Sequence, residues 1–271
     1  MTKTFAVIGD PIEHSLSPSI HNAAFKALNL DCTYIAYRIP KGELKEGIES
    51  LRQIKISGFN VTIPHKIEMM KYLDDASPEC KIIGATNTVS NEDDRFVGYN
   101  TDMDGFLEPI KKRKIPISGQ DILLLGSGGA ARAIVAGFAK EKARKITIAN
   151  RTIQKAQELS KFASSLGLES DATTLSDVDA SKYKFIINST SVGLKNEPSP
   201  ISTNAINSEH VVYDIIYMPM NTDLISQSKK KSATIIYGHE MLLGQAALAF
   251  QIWHKITPPY DAMKRVLLGG F

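Results

Sequence analysis

A chain of 271 residues, 43% hydrophobic and 23% charged, has the make-up of a folded globular protein of one large or two ordinary domains and excludes a disordered chain. Its net charge of +3 leaves no electrostatic footprint for nucleic acid or a membrane surface; the basic runs Lys111-Lys112-Arg113-Lys114 and Lys229-Lys230-Lys231 sit at the ends of predicted helices, where cations suit the helix dipole. No apolar stretch reaches the ~20 residues that span a bilayer, and the two cysteines, Cys32 and Cys80, form neither a CxxC pair nor a disulfide framework, so a cytoplasmic setting is expected.

Short apolar runs predict strands over Phe5–Ile8, Thr33–Tyr37, Gly58–Val61, Asp121–Leu125, Lys145–Ala149, Phe185–Asn188, Val211–Ile215 and Thr234–Ile236. The first is too short for the core of a signal peptide. Amphipathic stretches between them predict helices, among them Ser19–Leu28, Leu44–Ile54, Ala130–Ala139 and Gln154–Ser164. This alternation implies an α/β protein with mainly parallel sheets covered by helices. The basic stretch Lys111–Gly119, with Pro116 and Gly119, is the expected boundary. It divides the chain into domains 1–110 and 111–237 and a helical C-terminal segment, 238–271. In that segment Met241, Leu242, Leu243, Ala246, Ala247, Leu248, Phe250 and Trp253 form one broad apolar face, expected to pack back on the first domain. The chain would then cross the boundary twice, with a cleft between the domains.

The second domain opens on a cofactor motif. Asp121-Ile-Leu-Leu-Leu-Gly126-Ser127-Gly128-Gly129-Ala130-Ala131 reads as strand, glycine turn and helix, and Gly126, Gly128 and Ala131 fit G-x-G-x-x-A. The first glycine makes the tight turn and the second admits a pyrophosphate. The small third residue lets helix and strand pack closely, and the helix N-terminus offers unpaired N–H groups. The next strand ends in Asn150-Arg151-Thr152, with Lys155 one turn on. NAD-preferring sites carry there an acid that binds the ribose 2′-hydroxyl and repels a 2′-phosphate. This chain has an amide, a guanidinium and a hydroxyl instead, which favours NADP(H).

A nicotinamide carrier implies hydride transfer, and hydride transfer to a carbonyl needs a proton donor. Asn60-Val-Thr62-Ile-Pro64-His65-Lys66 is a strand end and proline turn that would present Lys66 at the mouth of the sheet, and Gly98-Tyr99-Asn100-Thr101-Asp102 is a second strand end carrying a carboxylate. A Lys–Asp couple can hold and exchange a proton; by spacing alone, a surface charge or a helix cap is the commoner use of such residues. Ser17 before Pro18 reads as an N-cap, which leaves Ser15 for a ligand. Asn87 starts another strand, and Gln245 lies on the C-terminal helix.

Taken together, these segments resemble the shikimate dehydrogenases. The matching motifs run in family order: Ser15-Leu-Ser-Pro18, Asn60-Val-Thr-Ile-Pro-His-Lys66, Gly84-Ala-Thr-Asn-Thr88, Asn100-Thr-Asp102, Gly126-Ser-Gly-Gly-Ala130, Asn150-Arg-Thr152, Tyr217-Met-Pro219 and Met241-Leu-Leu-Gly-Gln245. The resemblance implies NADPH-dependent reduction of 3-dehydroshikimate to shikimate, in the chorismate route to aromatic amino acids. It implies a substrate-binding domain before a Rossmann-type NADP domain. It also implies that Lys66 and Asp102 are the catalytic pair. Ser15, Ser17, Thr62, Asn87, Tyr217 and Gln245 would bind substrate. Gly126, Ser127, Gly128, Gly129, Ala130, Asn150, Arg151, Thr152 and Lys155 would hold the nucleotide, with Ile215 and Gly238 beside the nicotinamide. Two departures stand out: Ser127 replaces the alanine common in the glycine turn, and His254-Lys255 follows Trp253 where a glycine is usual.

Alternatives are a quinate/shikimate dehydrogenase using NAD(H), which Asn150-Arg151-Thr152 disfavours, and a dinucleotide-binding regulator without turnover, which would have no need of Lys66 with Asp102. A metal site is not expected, because His239-Glu240 is not completed to H-E-x-x-H and no Cys/His cluster accompanies it. The expected partner is a small-molecule substrate, with no nucleic acid or membrane, in a monomer or homodimer.

Overall fold

A computed structural model of the chain describes residues 2–269; the last two residues of the expected helical segment, 270–271, lie outside the described residues. The chain divides into two compact units. The first comprises the residues up to Gly105 together with those from Leu243 on, and the second runs from Phe106 to Leu242. Both changes of unit fall inside helices, not in the stretch 111–119.

The first unit contains β1 (Lys3–Gly9), α1 (Ser17–Ala27), β2 (Cys32–Arg38), α2 (Leu44–Gln53), β3 (Gly58–Val61), the two-residue β4 (Asp75–Ala76), α3 (Pro78–Ile83), β5 (Thr88–Glu92), β6 (Arg95–Tyr99) and the start of α4 (Asp102–Lys112). Its sheet has the order β2-β1-β3-β5-β6-β4. β1 is parallel to β2 and β3, and β4 to β6, while β5 alone runs against its neighbours. Alternation along β1 explains the two-sided core. Ala6 and Ile8 pack with Leu44, Ile48, Leu51, Phe59 and Phe96 on one face. On the other face Phe5 meets Phe25 at 5.6 Å and Trp253 at 4.9 Å between ring centroids. The β5–β6 turn places Asp93 and Asp94 at φ 54° and 64°, the paired left-handed conformation of a tight hairpin.

The second unit contains β7 (Asp121–Leu125), α5 (Gly129–Lys140), β8 (Lys145–Ala149), α6 (Ile153–Ser165), β9 (Glu169–Thr173), β10 (Phe185–Asn188), β11 (Val211–Asp214), α7 (Asp223–Lys230) and β12 (Thr234–Tyr237). All its pairings are parallel, in the order β12-β11-β10-β7-β8-β9. This is the doubly wound arrangement, whose order reverses between β7 and β10; ligands of such sheets bind outside the strands' carboxyl ends at that switch. Leu123, Leu125, Ile186, Val212 and Leu224 fill one side of the sheet. On the other, Phe138 stacks edge-on against Phe106 at 5.4 Å and Phe185 at 5.7 Å. The chain closes with α8 (Gly238–His254) and α9 (Tyr260–Gly269), so the C-terminal segment is two helices. Among the described residues no helix is long and apolar enough to cross a membrane.

Candidate active site

Strand direction decides which side chains meet. β1, β3 and β6 run the same way and β5 runs oppositely, so the ends of the first three and the start of the fourth share one edge of the sheet. Ser15 and Ser17 follow β1, Thr62 and Lys66 follow β3, Asn87 precedes β5, and Asp102 follows β6. Gln245 reaches the same group from α8, and Gly105 is what lets the two helices approach. A Cβ there would stand 2.7 Å from the backbone nitrogen of Gln245, a distance that no larger residue tolerates.

At this edge Lys66 Nζ donates to Asp102 Oδ2 at 2.5 Å. The pair is largely withdrawn from solvent, with side chains 13% and 4% exposed. Lys66 is held by its backbone: its carbonyl accepts from Thr86 N at 2.9 Å, and the preceding His65 is buried with Nε2 2.7 Å from Ile39 O. Asp102 is the first residue of α4, but it does not cap the helix. Asn100 Oδ1 accepts from the Asp102 and Met103 N–H groups at 3.1 and 3.4 Å, which leaves the Asp102 carboxylate for other donors. Its Oδ1 accepts from Asn87 Nδ2 at 2.9 Å, and the same amide lies 3.4 Å from Gln245 Oε1. A buried carboxylate bonded on both oxygens is an acceptor only, so a lysine beside it keeps its remaining protons for a third group.

The serine motif differs from its expected local role. Leu16, not Ser17, is the N-cap of α1, and it provides no side-chain cap. Ser17 already lies inside the helix, so its buried hydroxyl does not serve as a cap. Ser15 Oγ accepts from Ser17 N at 3.3 Å, a local turn that leaves its own proton to donate.

In the second unit the strand ends also line up. Gly126 follows β7, Asn150 follows β8, Ile215 and Tyr217 follow β11, and Gly238 follows β12. Gly126 has φ +100°, and a Cβ on it would lie 2.8 Å from Ser189 Oγ, so turn and packing both demand glycine there. Around Gly128, by contrast, a Cβ would meet nothing within 4 Å. Gly128 is the N-cap of α5 and gives no side-chain cap, and the first turn holds no acid. Space, free amide donors and positive dipole therefore coincide beside Ser127, Gly129 and Ala130, as a pyrophosphate requires. The start of α6 repeats the pattern: Thr152 is an N-cap without a side-chain cap bond and no acid lies in the first turn. Asn150 Nδ2 donates to Thr152 O at 3.0 Å, while Arg151 and Lys155 are exposed. Gly238 packs on the backbone of Ile215 and Ile216. Tyr217 is pushed up from its ordinary phenol range by burial.

Three family models match: the shikimate dehydrogenase substrate binding domain over residues 7–89, shikimate / quinate 5-dehydrogenase over 109–211, and the shikimate 5′-dehydrogenase C-terminal domain over 238–268. The chain is 65% identical over 273 residues, covering all of both chains, to shikimate dehydrogenase (NADP(+)) of Nitrosopumilus maritimus (strain SCM1). This chain belongs to the shikimate dehydrogenase family. Solved members of the family superpose over nearly the whole length. A shikimate dehydrogenase in complex with NADP+ matches with TM-score 0.92 at 39% identity, covering 99% of this chain and 96% of the other. The Thermus thermophilus shikimate 5-dehydrogenase in complex with NADP(H) and shikimate matches with TM-score 0.88 at 34% identity, covering 99% and 100%. NADP is accordingly the cofactor class of this family member, as the acid-free start of α6 independently indicates.

The structure also brings to the pair residues whose place in it the sequence did not reveal. Asn60, Thr88 and Thr101 are buried beside Asn87, and Tyr34 reaches Asn60 from β2. Asn60, Thr88 and Thr101 lie inside the family motifs, but nothing local marks which side chain a neutral amide or hydroxyl will meet.

Proposed function

We propose that this protein reduces 3-dehydroshikimate to shikimate with NADPH and catalyses the reverse with NADP+, the Lys66–Asp102 pair handling the proton. The observation that carries this reading is that buried 2.5 Å ion pair, set among neutral donors and acceptors at one sheet edge. When bound, the reduced nicotinamide supplies a hydride to the carbonyl carbon. The oxygen left behind needs a proton, and Lys66 Nζ, the more exposed member of the pair, is its immediate donor. Asp102 holds the ammonium in place and stabilises its charge. In the oxidative direction the pair takes the hydroxyl proton back. Ser15, Ser17, Thr62, Asn87, Tyr217 and Gln245 bind the carboxylate and hydroxyls, a fitting set of neutral groups for a small polyhydroxylated acid. The unpaired thiols of Cys32 and Cys80 support a reducing, cytoplasmic setting.

The test is steady-state turnover of shikimate and of quinate, each with NADP+ and NAD+, by the wild type and by Lys66→Ala. Shikimate with NADP+ should be the best pair. Lys66→Ala should lower kcat by at least ~100-fold, with KM changed far less, because general acid–base assistance of this kind contributes about 10²–10⁴-fold. An unchanged kcat would remove Lys66 from the reaction.

A further inference from the structure

Asp102 does not end at Lys66 and Asn87; behind them a file of buried polar groups runs back to β2. Tyr34 Oη lies 2.6 Å from Asn60 Oδ1. Asn60 Nδ2 lies 3.0 Å from both Asn87 O and Thr88 Oγ1. Thr88 Oγ1 lies 3.1 Å from Asn87 Oδ1, and Asn87 Nδ2 lies 2.9 Å from Asp102 Oδ1. Every one of these side chains is buried.

Two backbone groups fix the orientation of both amides in the file. Asn87 O can only accept, so the Asn60 atom beside it is the NH₂ and the other is the carbonyl oxygen. The Tyr34 hydroxyl must therefore donate. At the far end Thr101 N, which can only donate, lies 2.7 Å from Asn87 Oδ1. That atom is the oxygen, and the NH₂ of Asn87 faces Asp102. Thr88 accepts from Asn60 and donates either directly to Asn87 Oδ1 at 3.1 Å or to Thr101 Oγ1 at 3.2 Å, which itself lies 3.2 Å from Asn87 Oδ1. The donors thus point one way, from the phenol to the carboxylate. The phenol itself is clamped: Asn22 bonds both backbone groups of Tyr34, at 2.8 and 2.9 Å, and the His21 ring stacks on it at 4.5 Å with 6° between planes. An exposed tyrosine at an edge strand would need none of this.

We propose that Tyr34 is a positioning residue for the reaction: its hydroxyl heads a one-way hydrogen-bond file through Asn60, Thr88 and Asn87 that holds Asp102 in register with Lys66. Without that hydroxyl the Asn60 carbonyl is a buried acceptor with no donor, and its amide turns to find one. Thr88 then loses its incoming bond, and Asn87 is held less tightly against the carboxylate. The reacting geometry loosens at Asn87 and Asp102, while Ser15, Ser17 and Thr62, which carry much of the substrate binding, lie outside the file.

This inference rests on the reading of Lys66 and Asp102 as the proton-handling pair, and Asp102→Asn serves as its reference. Kinetics with shikimate and NADP+ should show kcat lowered about 5–20-fold in Tyr34→Phe, with KM for shikimate within about two-fold, the size expected when one buried hydrogen bond is lost from a positioning array. Thr88→Val breaks the same file without touching the Tyr34 stack, so it should reproduce the loss and it carries the test if Tyr34→Phe is unstable. Thr88→Ser, which restores the hydroxyl, should recover most of the turnover, whereas a purely structural role would leave kcat insensitive to which atom occupies that position in folded protein. A kcat within about two-fold of wild type in both Tyr34→Phe and Thr88→Val, or a loss confined to KM, overturns the proposal. If Asp102→Asn also turns over normally, the reading of the pair has failed; if Asp102→Asn is crippled and the other two are not, only the file has.

Discussion

On the proposed function, single side chains at the start of α6 are the expected determinants of cofactor preference. Thr152 opens the helix without capping it, no acid follows in the first turn, and Arg151 is exposed beside it. A 2′-phosphate placed there gains a charge-assisted, forked contact to a guanidinium, whereas a bare 2′-hydroxyl gains little. Arg151→Ala should therefore raise KM for NADP(H) about 10–100-fold, the cost of a lost hydrogen bond to a charged group, and that for NAD(H) less than about two-fold. Parallel rises for both cofactors would show that Arg151 does not read the phosphate. The features behind this reading are visible in the sequence because they are local: the missing acid and the present arginine adjoin one strand end. Ser17 was not legible in this way. Its position before Pro18 suggested a cap, but the helix begins one residue earlier in the chain than that reading required, and the hydroxyl is buried inside it. A cap depends on backbone angles that the side-chain types do not fix.

At the scale of elements, strands with unbroken apolar runs were readable and those without them were not. All eight expected strands are present. β9, Glu169-Ser-Asp-Ala-Thr173, is a sheet edge whose charges pair with Lys145 at 3.2 and 2.6 Å, so it carries no hydrophobic signature. The span of the β5–β6 hairpin was hidden for the same reason: Asn91, Glu92 and Arg95 interrupt it near the solvated turn, although the strand ends bearing Asn87 and Asp102 were visible. The end of α8 shows a departure from the family pattern turning into a physical prediction. Lys255, in the His254-Lys255 pair that stands where the resemblance leads to the expectation of a glycine, adopts φ 56° and donates its N–H to Gln251 O at 2.9 Å. This is the left-handed position that closes a helix, and a side chain there costs about 1 kcal/mol relative to glycine. Lys255→Gly should raise the thermal midpoint by roughly 1–4 °C, since a chain of this size gains a few degrees per kcal/mol. No rise, or a fall, would mean that the lysine side chain offsets its own backbone strain.

At the scale of the whole molecule, one contribution to the response to acid arises where the first unit buries histidine without bonding it. His21 is completely buried, neither ring nitrogen has a hydrogen-bond partner, and its ring lies among Tyr34, Phe25 and Trp253. Loss of hydration pushes its pKa down to about 3, with His254 adding a smaller effect in the same direction. His254, packed on Phe5 and Phe250, is lowered to about 4, again mainly by burial. The sign follows from which state takes the proton. Above about pH 6.5 both histidines are neutral folded or unfolded, and they contribute no pH dependence. Below it the unfolded chain is protonated and the folded one is not, so stability falls as pH falls, by about 1.4 kcal/mol per pH unit for His21, until the folded form titrates as well. Asp214 is pushed up by burial despite its bonds from Thr222, Asn188 and Ile216. Its charged form is therefore less favoured in the fold than in the unfolded chain, and it loses nothing when protonated. Between about pH 6.5 and pH 4.5 the two buried histidines therefore contribute a loss of stability that Asp214 does not. His21→Phe keeps an aromatic ring in the stack and removes the titrating group. Its thermal midpoint, followed from about pH 7.5 to about pH 5, should drop much less than that of the wild type, with the two proteins differing most at the acid end. Parallel curves for the two proteins would assign the acid sensitivity to another group.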